Sequence, residues 1–163
     1  PMIEQVVHLA LEQLNVFRRT EGTSIELDFQ KRVETILELL EKIQDHEDER
    51  KAALRKKYTE ALNNFSANLQ VDKNRFEQEM LYYLEKLDIT EEKVRLKQHC
   101  HYFVDHLGEE KIEKGKKLNF IVQEMGREIN TLGSKANYSE IQRIVVDMKN
   151  ELEKIKEQAA NVV

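Results

Sequence analysis

The sequence predicts an all-α protein: a long antiparallel coiled-coil helical arm followed by a C-terminal helical hairpin, assembling as an oligomer. Three observations predict it. Pro1 is the only proline, so no helix interior loses a hydrogen bond to a pyrrolidine ring. Charged residues make up 35% and hydrophobic residues 40%, with five glycines and no tryptophan, a composition suited to long amphipathic helices. Apolar residues recur at steps of three and four, as at Leu118, Val122, Met125, Ile129 and Leu132. The 163 residues suffice for one domain with a core, and periodic apolar residues in this number argue against disorder.

The first predicted helix covers residues 2–19, with Ile3, Val6, Val7, Ala10, Leu11 and Leu14 on one side. "RTEGTS" at 19–24 is expected to end it, with Gly22 as the stop and Ser24 as the next cap. A long helix is then expected from about 25 to 69, carrying the heptad seam Phe29, Val33, Ile36, Leu40 and Ile43. The seam fails at "QDHEDERK", 44–51, which predicts a solvated or bent middle, and resumes at Leu54, Tyr58, Ala61 and Phe65. A turn near 68–71 leads into a second long helix over about 72–107, with Phe76, Met80, Tyr83, Leu87, Val94 and His101 at seam positions. Two long helices joined by a short turn pack antiparallel. "HLGEEKIEKGKK", 106–117, reads as a loop, 117–134 as a helix and "GSKANYSE", 133–140, as a turn with Ser139 as cap. The last helix keeps heptads at Ile141, Val145, Met148, Leu152, Ile155, Ala159 and Val162, so a neighbouring helix should cover that stripe. The domain reading is an entry helix or the end of a missing N-terminal domain over 1–23, the arm over 24–107 and the hairpin over 108–163.

A single cysteine, Cys100, excludes an internal disulfide and fits a reducing compartment. No apolar run is long enough to span a membrane and no basic-then-apolar leader opens the chain, so a cytoplasmic protein is expected. The opening reads as helix from the start, as expected of a piece cut from a longer chain. A net charge of −5 argues against indiscriminate nucleic-acid binding. Residues 108–163 are neutral, with 10 Lys/Arg against 10 Asp/Glu, so an anionic ligand would more easily meet the C-terminal part.

Three clusters can carry chemistry. Glu124 and Glu128 lie four apart on one helix face and can share a hard divalent cation through oxygen. The same pair, with Arg127 beside it, also reads as a solvated surface. Glu92, Arg95 and His99 share a face of their helix, and His99 is suited to proton transfer near neutral pH. His101 falls on the predicted seam and reads as structural; a zinc site from Cys100, His99, His101 and His106 is weakly supported, since successive helix positions point in different directions and the paired-cysteine spacing is missing. Lys111, Lys114, Lys116 and Lys117 lead into a helix N-terminus, where backbone donors favour phosphate, and Lys135 follows that helix; a charged, solvated loop explains the first four equally well. No Walker loop, Ser–His–Asp signature or dinucleotide fingerprint is present.

"GKKLNFIVQEMGREINTLGSKAN", followed by "VVDMKNELEKIKEQAANV", resembles the C-terminal signature of the YicC/YloC family. "DITEEKVRLKQHCHYF" and "RRTEGTSIELDFQKRV" resemble further segments of it, in the family's order. Gly126 departs from the asparagine common there. The resemblance implies a bacterial endoribonuclease of RNA turnover and stress response, acting on single-stranded or structured RNA. It further implies a manganese or magnesium ion, a ring-like homo-oligomer, other RNA-degradation proteins as partners, and a strand-rich N-terminal domain that this chain largely lacks. Joined to the chemistry of phosphodiester cleavage, it suggests Glu124 and Glu128 as metal ligands, with Glu79, Asp88 or Glu92 from the preceding long helix. His99, Glu124, Glu128 and Arg127 become the catalytic candidates. Arg95, Lys114, Lys116, Lys117, Asn130 and Lys135 become the RNA-binding candidates, with Gln123 as a further orienting group. The competing functions are a non-catalytic RNA-binding adaptor that delivers small RNAs to another nuclease and a structural oligomerisation segment.

Overall fold

The computed structural model describes residues 2–66, 73–108 and 114–159. In chain order these form α1 (Met2–Ser66), α2 (Lys73–Lys86), α3 (Thr90–Leu107), α4 (Lys114–Ala136) and α5 (Ser139–Ala159), with no strand among the described residues. The all-α expectation is met. The residues assigned to the arm and to the hairpin pack on each other. The part of α1 from Ile25 to Leu54, together with α3, α4 and α5, makes a four-helix bundle: α1 packs on α5 and α3, α3 on α4, and α4 on α5.

Every neighbouring pair runs antiparallel, as the order of cross-contacts shows. Along α1 and the returning chain, Tyr58 stacks on Tyr83 at 5.3 Å, Lys93 bonds Glu47, and Phe29 meets Phe103 edge-on at 5.6 Å. Arg32 bonds Glu151 at 3.0 Å and Glu49 accepts from Tyr138 at 3.2 Å, which fixes α1 against α5. The core contains the seam Phe29, Val33, Ile36, Leu40 and Ile43 and the α5 stripe Ile141, Val145, Met148, Leu152, Ile155 and Ala159, all buried. The α5 stripe is thus covered within the chain. Val162 and the turn near 68–71 lie outside the described residues.

Four local expectations are corrected. The first is the break at 19–24: α1 runs unbroken through Gly22 and Ser24. One glycine costs a helix only about 1 kcal/mol, and no proline forces a stop. The hydroxyls of Thr20 and Thr23 donate to the carbonyls of Val16 and Arg19, four residues back, so they compete little with the helix. What changes near this point is burial. Residues 2–24 are exposed throughout, with Ile3, Val6, Leu14 and Phe17 uncovered, and partial burial begins at Ile25.

The second correction concerns 44–51, which is not solvated throughout. The seam continues at its regular steps through Ile43, Glu47, Arg50 and Leu54, all buried, so two charged residues occupy core positions. Thirdly, the helix expected over 72–107 is broken at 87–89. Asp88 Oδ1 accepts from Thr90 N at 3.2 Å and Thr90 Oγ1 at 2.8 Å, and Arg50 Nη2 donates to the Leu87 carbonyl at 2.5 Å. The break resets the heptad phase. Ile89, Leu96, Cys100, Phe103 and Leu107 face the core, whereas Val94 and His101, expected on the seam, are exposed. Fourthly, α4 continues to Ala136; Asn137, at φ 43°, is the left-handed hinge into α5, a conformation asparagine tolerates.

Gly133 is required by packing. A Cβ there would lie 2.9 Å from Cγ1 of Val145, a β-branched side chain with few rotamers in a helix. Gly22 faces open space. Gly133→Leu is expected to destabilise the fold by about 1–3 kcal/mol through overpacking of α4 on α5. Gly22→Ala is expected to stabilise α1 by up to about 1 kcal/mol. Urea unfolding followed by circular dichroism reads both.

Candidate nucleic-acid groove between α3 and α4

The α3–α4 seam brings together acids and bases that stand far apart in the chain. Three contacts set its antiparallel register: Lys135 with Glu92, Arg95 with Glu128, and Lys117 with His106. Glu92 is 4% exposed; its Oε1 accepts from Lys135 Nζ at 2.7 Å, and its buried Oε2 has no hydrogen-bond partner among the described residues. Glu128 is 5% exposed and faces Arg95 Nη1 at 4.0 Å, while the same guanidinium bonds Glu91 through Nη2. The register then puts half-buried His99 level with half-buried Glu124.

Arg127, Asn130, Gln123 and Lys116 are exposed on α4; helical phase puts Arg127 at the groove rim and the other three farther round. Lys114 opens α4, but its side chain is outside the described residues, as is Lys111. Glu79 is exposed on α2, which does not pack on α3 or α4 to any comparable extent, so it is apart from the other expected metal ligands. Asp88 is occupied at the start of α3. Burial raises its pKa, but the hydrogen bonds from Thr90 and the Ile89 backbone, with the charge of Lys51, together outweigh this and hold the carboxyl below its ordinary value.

Sequence reading missed a cluster at the lower end of the groove. His106 Nδ1 lies 2.8 Å from the Tyr102 carbonyl, so that nitrogen carries the proton and Nε2 accepts from Lys117 Nζ. The Tyr102 and His106 rings are 4.1 Å apart, and Lys117 Nζ sits 5.2 Å from the Tyr102 ring centre. The available signal was the four-residue spacing of Tyr102 and His106; Lys117 could not be paired with them without the register.

Behind the groove, a second polar group ties α1 to the start of α3. Lys93 Nζ bonds Glu47 Oε1 at 2.7 Å and Gln44 Oε1 at 2.8 Å. Burial pushes the Arg50 pKa down, against the opposing charges of Glu47 and Asp88. Beside the break at 87–89 lies a cleft of about 590 Å³ whose lining includes Arg50, Lys51, Arg55, Leu84 and Asp88. Cys100 is in the core, where burial pushes its thiol pKa up to about 12, far from the range of a metal ligand or nucleophile.

Among the described residues no three His, Cys, Asp or Glu side chains are gathered as a metal site. Glu92 and Glu128 already face cations. The donor set therefore does not fit a closed protein cage, but it does suit the mode in which one or two carboxylates hold a magnesium-like ion that keeps its waters and takes phosphate oxygens from the ligand.

Residues 43–163 match the family described as endoribonuclease YicC-like, C-terminal. The chain is also 34% identical, over 166 aligned residues, to a protein of Clostridioides difficile (strain 630) named probable endoribonuclease YicC. The alignment covers 99% of this chain and 55% of that protein, so the chain spans about half the length of the relative. With a family match over most of its length and this relative aligned along nearly all of it, the chain belongs to the YicC-like family and corresponds to its C-terminal region.

Proposed function

We propose that the full-length protein is an endoribonuclease and that the α3–α4 groove is where it works on RNA. The observation that carries this reading is the register: Arg95 and His99 from one segment stand level with Arg127 and Glu124 from another. Cleaving a phosphodiester requires a nucleophile, stabilisation of the charge that develops on phosphorus, and a proton for the leaving oxygen. Arg95 and Arg127 supply the positive charge. His99 gives or takes the proton. Glu124 accepts a proton from the attacking hydroxyl or water, or shares a cation with Glu128. Lys135 holds Glu92 in place at the upper end.

A manganese or magnesium ion held by Glu124 and Glu128 would lower the pKa of a bound water and neutralise phosphate charge. Ring-like homo-oligomerisation, a cytoplasmic setting and a part in stress-linked RNA turnover belong to the same proposal and rest on kinship. No described helix is long and apolar enough to cross a membrane. A second reading, an RNA adaptor that cuts nothing, is favoured by the engagement of Glu92 and Glu128 with cations.

The test is incubation of the full-length protein with labelled RNA, with manganese or with chelator. Cutting that the chelator abolishes is expected. Binding without cutting under every metal condition would leave the adaptor reading in its place.

A further inference from the structure

Two large aromatic side chains flank the lower half of the groove and contribute little to the core. Tyr102 of α3 is 44% exposed and Phe120 of α4 is 62% exposed. Single exposed rings are ordinary on a protein surface, and Tyr102 also packs on the His106 ring at 4.1 Å; what marks Tyr102 and Phe120 is that both border the same groove. Lys117 with His106 and Arg95 with Glu128 fix how α3 and α4 run past each other. In that register Tyr102 and Phe120 stand on opposite rims at the same height. Arg95 and Arg127 form a corresponding pair about 10 Å farther up, seven residues at the helical rise. His99 and Glu124 lie between the two pairs.

We propose that Tyr102 and Phe120 form a stacking platform for an unpaired base, making the groove a track for single-stranded RNA. This rests on the nuclease reading for what happens to the strand, but not for the strand's binding. The chemistry argues for a single strand over a duplex. Bases in a duplex are stacked on each other and offer no face to a side chain, whereas bases of a single strand stack on aromatic rings whatever their identity. The rings alternate along the groove with cations that suit a phosphate chain: Lys117 Nζ sits over the Tyr102 ring, and the side chain of Arg95 is 53% exposed above it. A base seated between Tyr102 and Phe120 places the neighbouring backbone beside His99 and Glu124, with the next phosphates at Arg95 and Arg127. The platform thus positions the strand, and Tyr102 and Phe120 are specificity-determining residues, not proton-transfer groups.

The experiment uses the full-length protein, fluorescein-labelled oligouridylate and an RNA duplex of the same length, with binding read by anisotropy and cleavage by gel. Phe120→Ala is expected to weaken oligouridylate binding by about 5- to 150-fold, the range for losing one stacked base, while duplex binding is unchanged. Tyr102→Ala should act likewise, and Tyr102→Phe should restore binding because it keeps the ring. KM for single-stranded substrate should rise more than kcat falls. Phe120 is exposed, so a folding defect is not expected there; circular dichroism checks both variants. Unchanged oligouridylate binding in both alanine variants, or equal weakening for strand and duplex, overturns the platform. A wild-type protein that binds oligouridylate through these rings but never cuts RNA overturns the nuclease reading and leaves the platform standing.

Discussion

A full-length protein carrying His99→Gln is expected to cut RNA about 100- to 10,000-fold more slowly while binding it almost as well, the effect of removing a general acid or base from a site otherwise intact. Glutamine keeps most of the volume and polarity of the half-buried imidazole, so the α3–α4 packing should hold. Glu124→Gln, level with His99 across the groove, is expected to lose a similar factor. If the two act as a unit, the double variant should be little worse than the poorer single one, because the second loss finds nothing left to disable. The pH profile separates a proton-transfer role from a structural one. If His99 moves a proton in the rate-limiting step, a pH dependence seen in wild-type cleavage should be lost in His99→Gln. Full rate in the variant would remove the histidine from the mechanism. Single-turnover cleavage under manganese, with binding measured separately, reads all of these outcomes.

Lys135→Met is expected to lower stability by about 3 kcal/mol, the lower end of the range for stranding a buried charge. Glu92 is almost wholly buried, its Oε2 has no partner among the described residues, and Lys135 Nζ at 2.7 Å is a cationic partner of its Oε1. The lower end applies because the Lys135 side chain is one-third exposed and water can partly replace it. Adding Glu92→Leu should recover most of the loss, since an apolar pair of similar size avoids the desolvation of both charges. The rescue also bears on function. A double variant that is stable and cuts RNA at the wild-type rate would make Glu92 and Lys135 a structural clasp, whereas one that is stable but inactive or weak in RNA binding would place them in the site. Urea unfolding and the cleavage assay on the same preparations give both answers.

The helical character, the seam on α1 from Phe29 to Ile43 and the buried stripe of α5 were legible because each is a periodicity within one helix, written at steps of three and four. Gly22 misled because glycine is a stop signal only on average, and nothing around it opposes the helix that flanks it on both sides. The sequence reads 44–51 as solvated or bent because a pattern of apolar residues cannot register a buried charge; the partners of Glu47 and Arg50, Lys93 and the Leu87 carbonyl, come from the returning chain at and after the break. Val94 and His101 were misplaced because Asp88 and Thr90 interrupt the helix and shift the phase of everything after it.

The candidate site was half legible. The chain named Glu92, Arg95, His99, Glu124, Arg127, Glu128 and Lys135 by residue type and by spacing within each helix. That Glu92 meets Lys135, that His99 stands level with Glu124, and that Tyr102 and Phe120 flank one groove depend on how far α4 slides along α3, which no spacing inside either helix encodes. The sequence by itself determined which residues wind into helices and which face of each turns inward, because those are short-range consequences of side-chain period. The tertiary structure decided which helices are neighbours and at what register, because those follow from packing between residues dozens of positions apart, where close approaches such as Gly133 against Val145 select one offset from many.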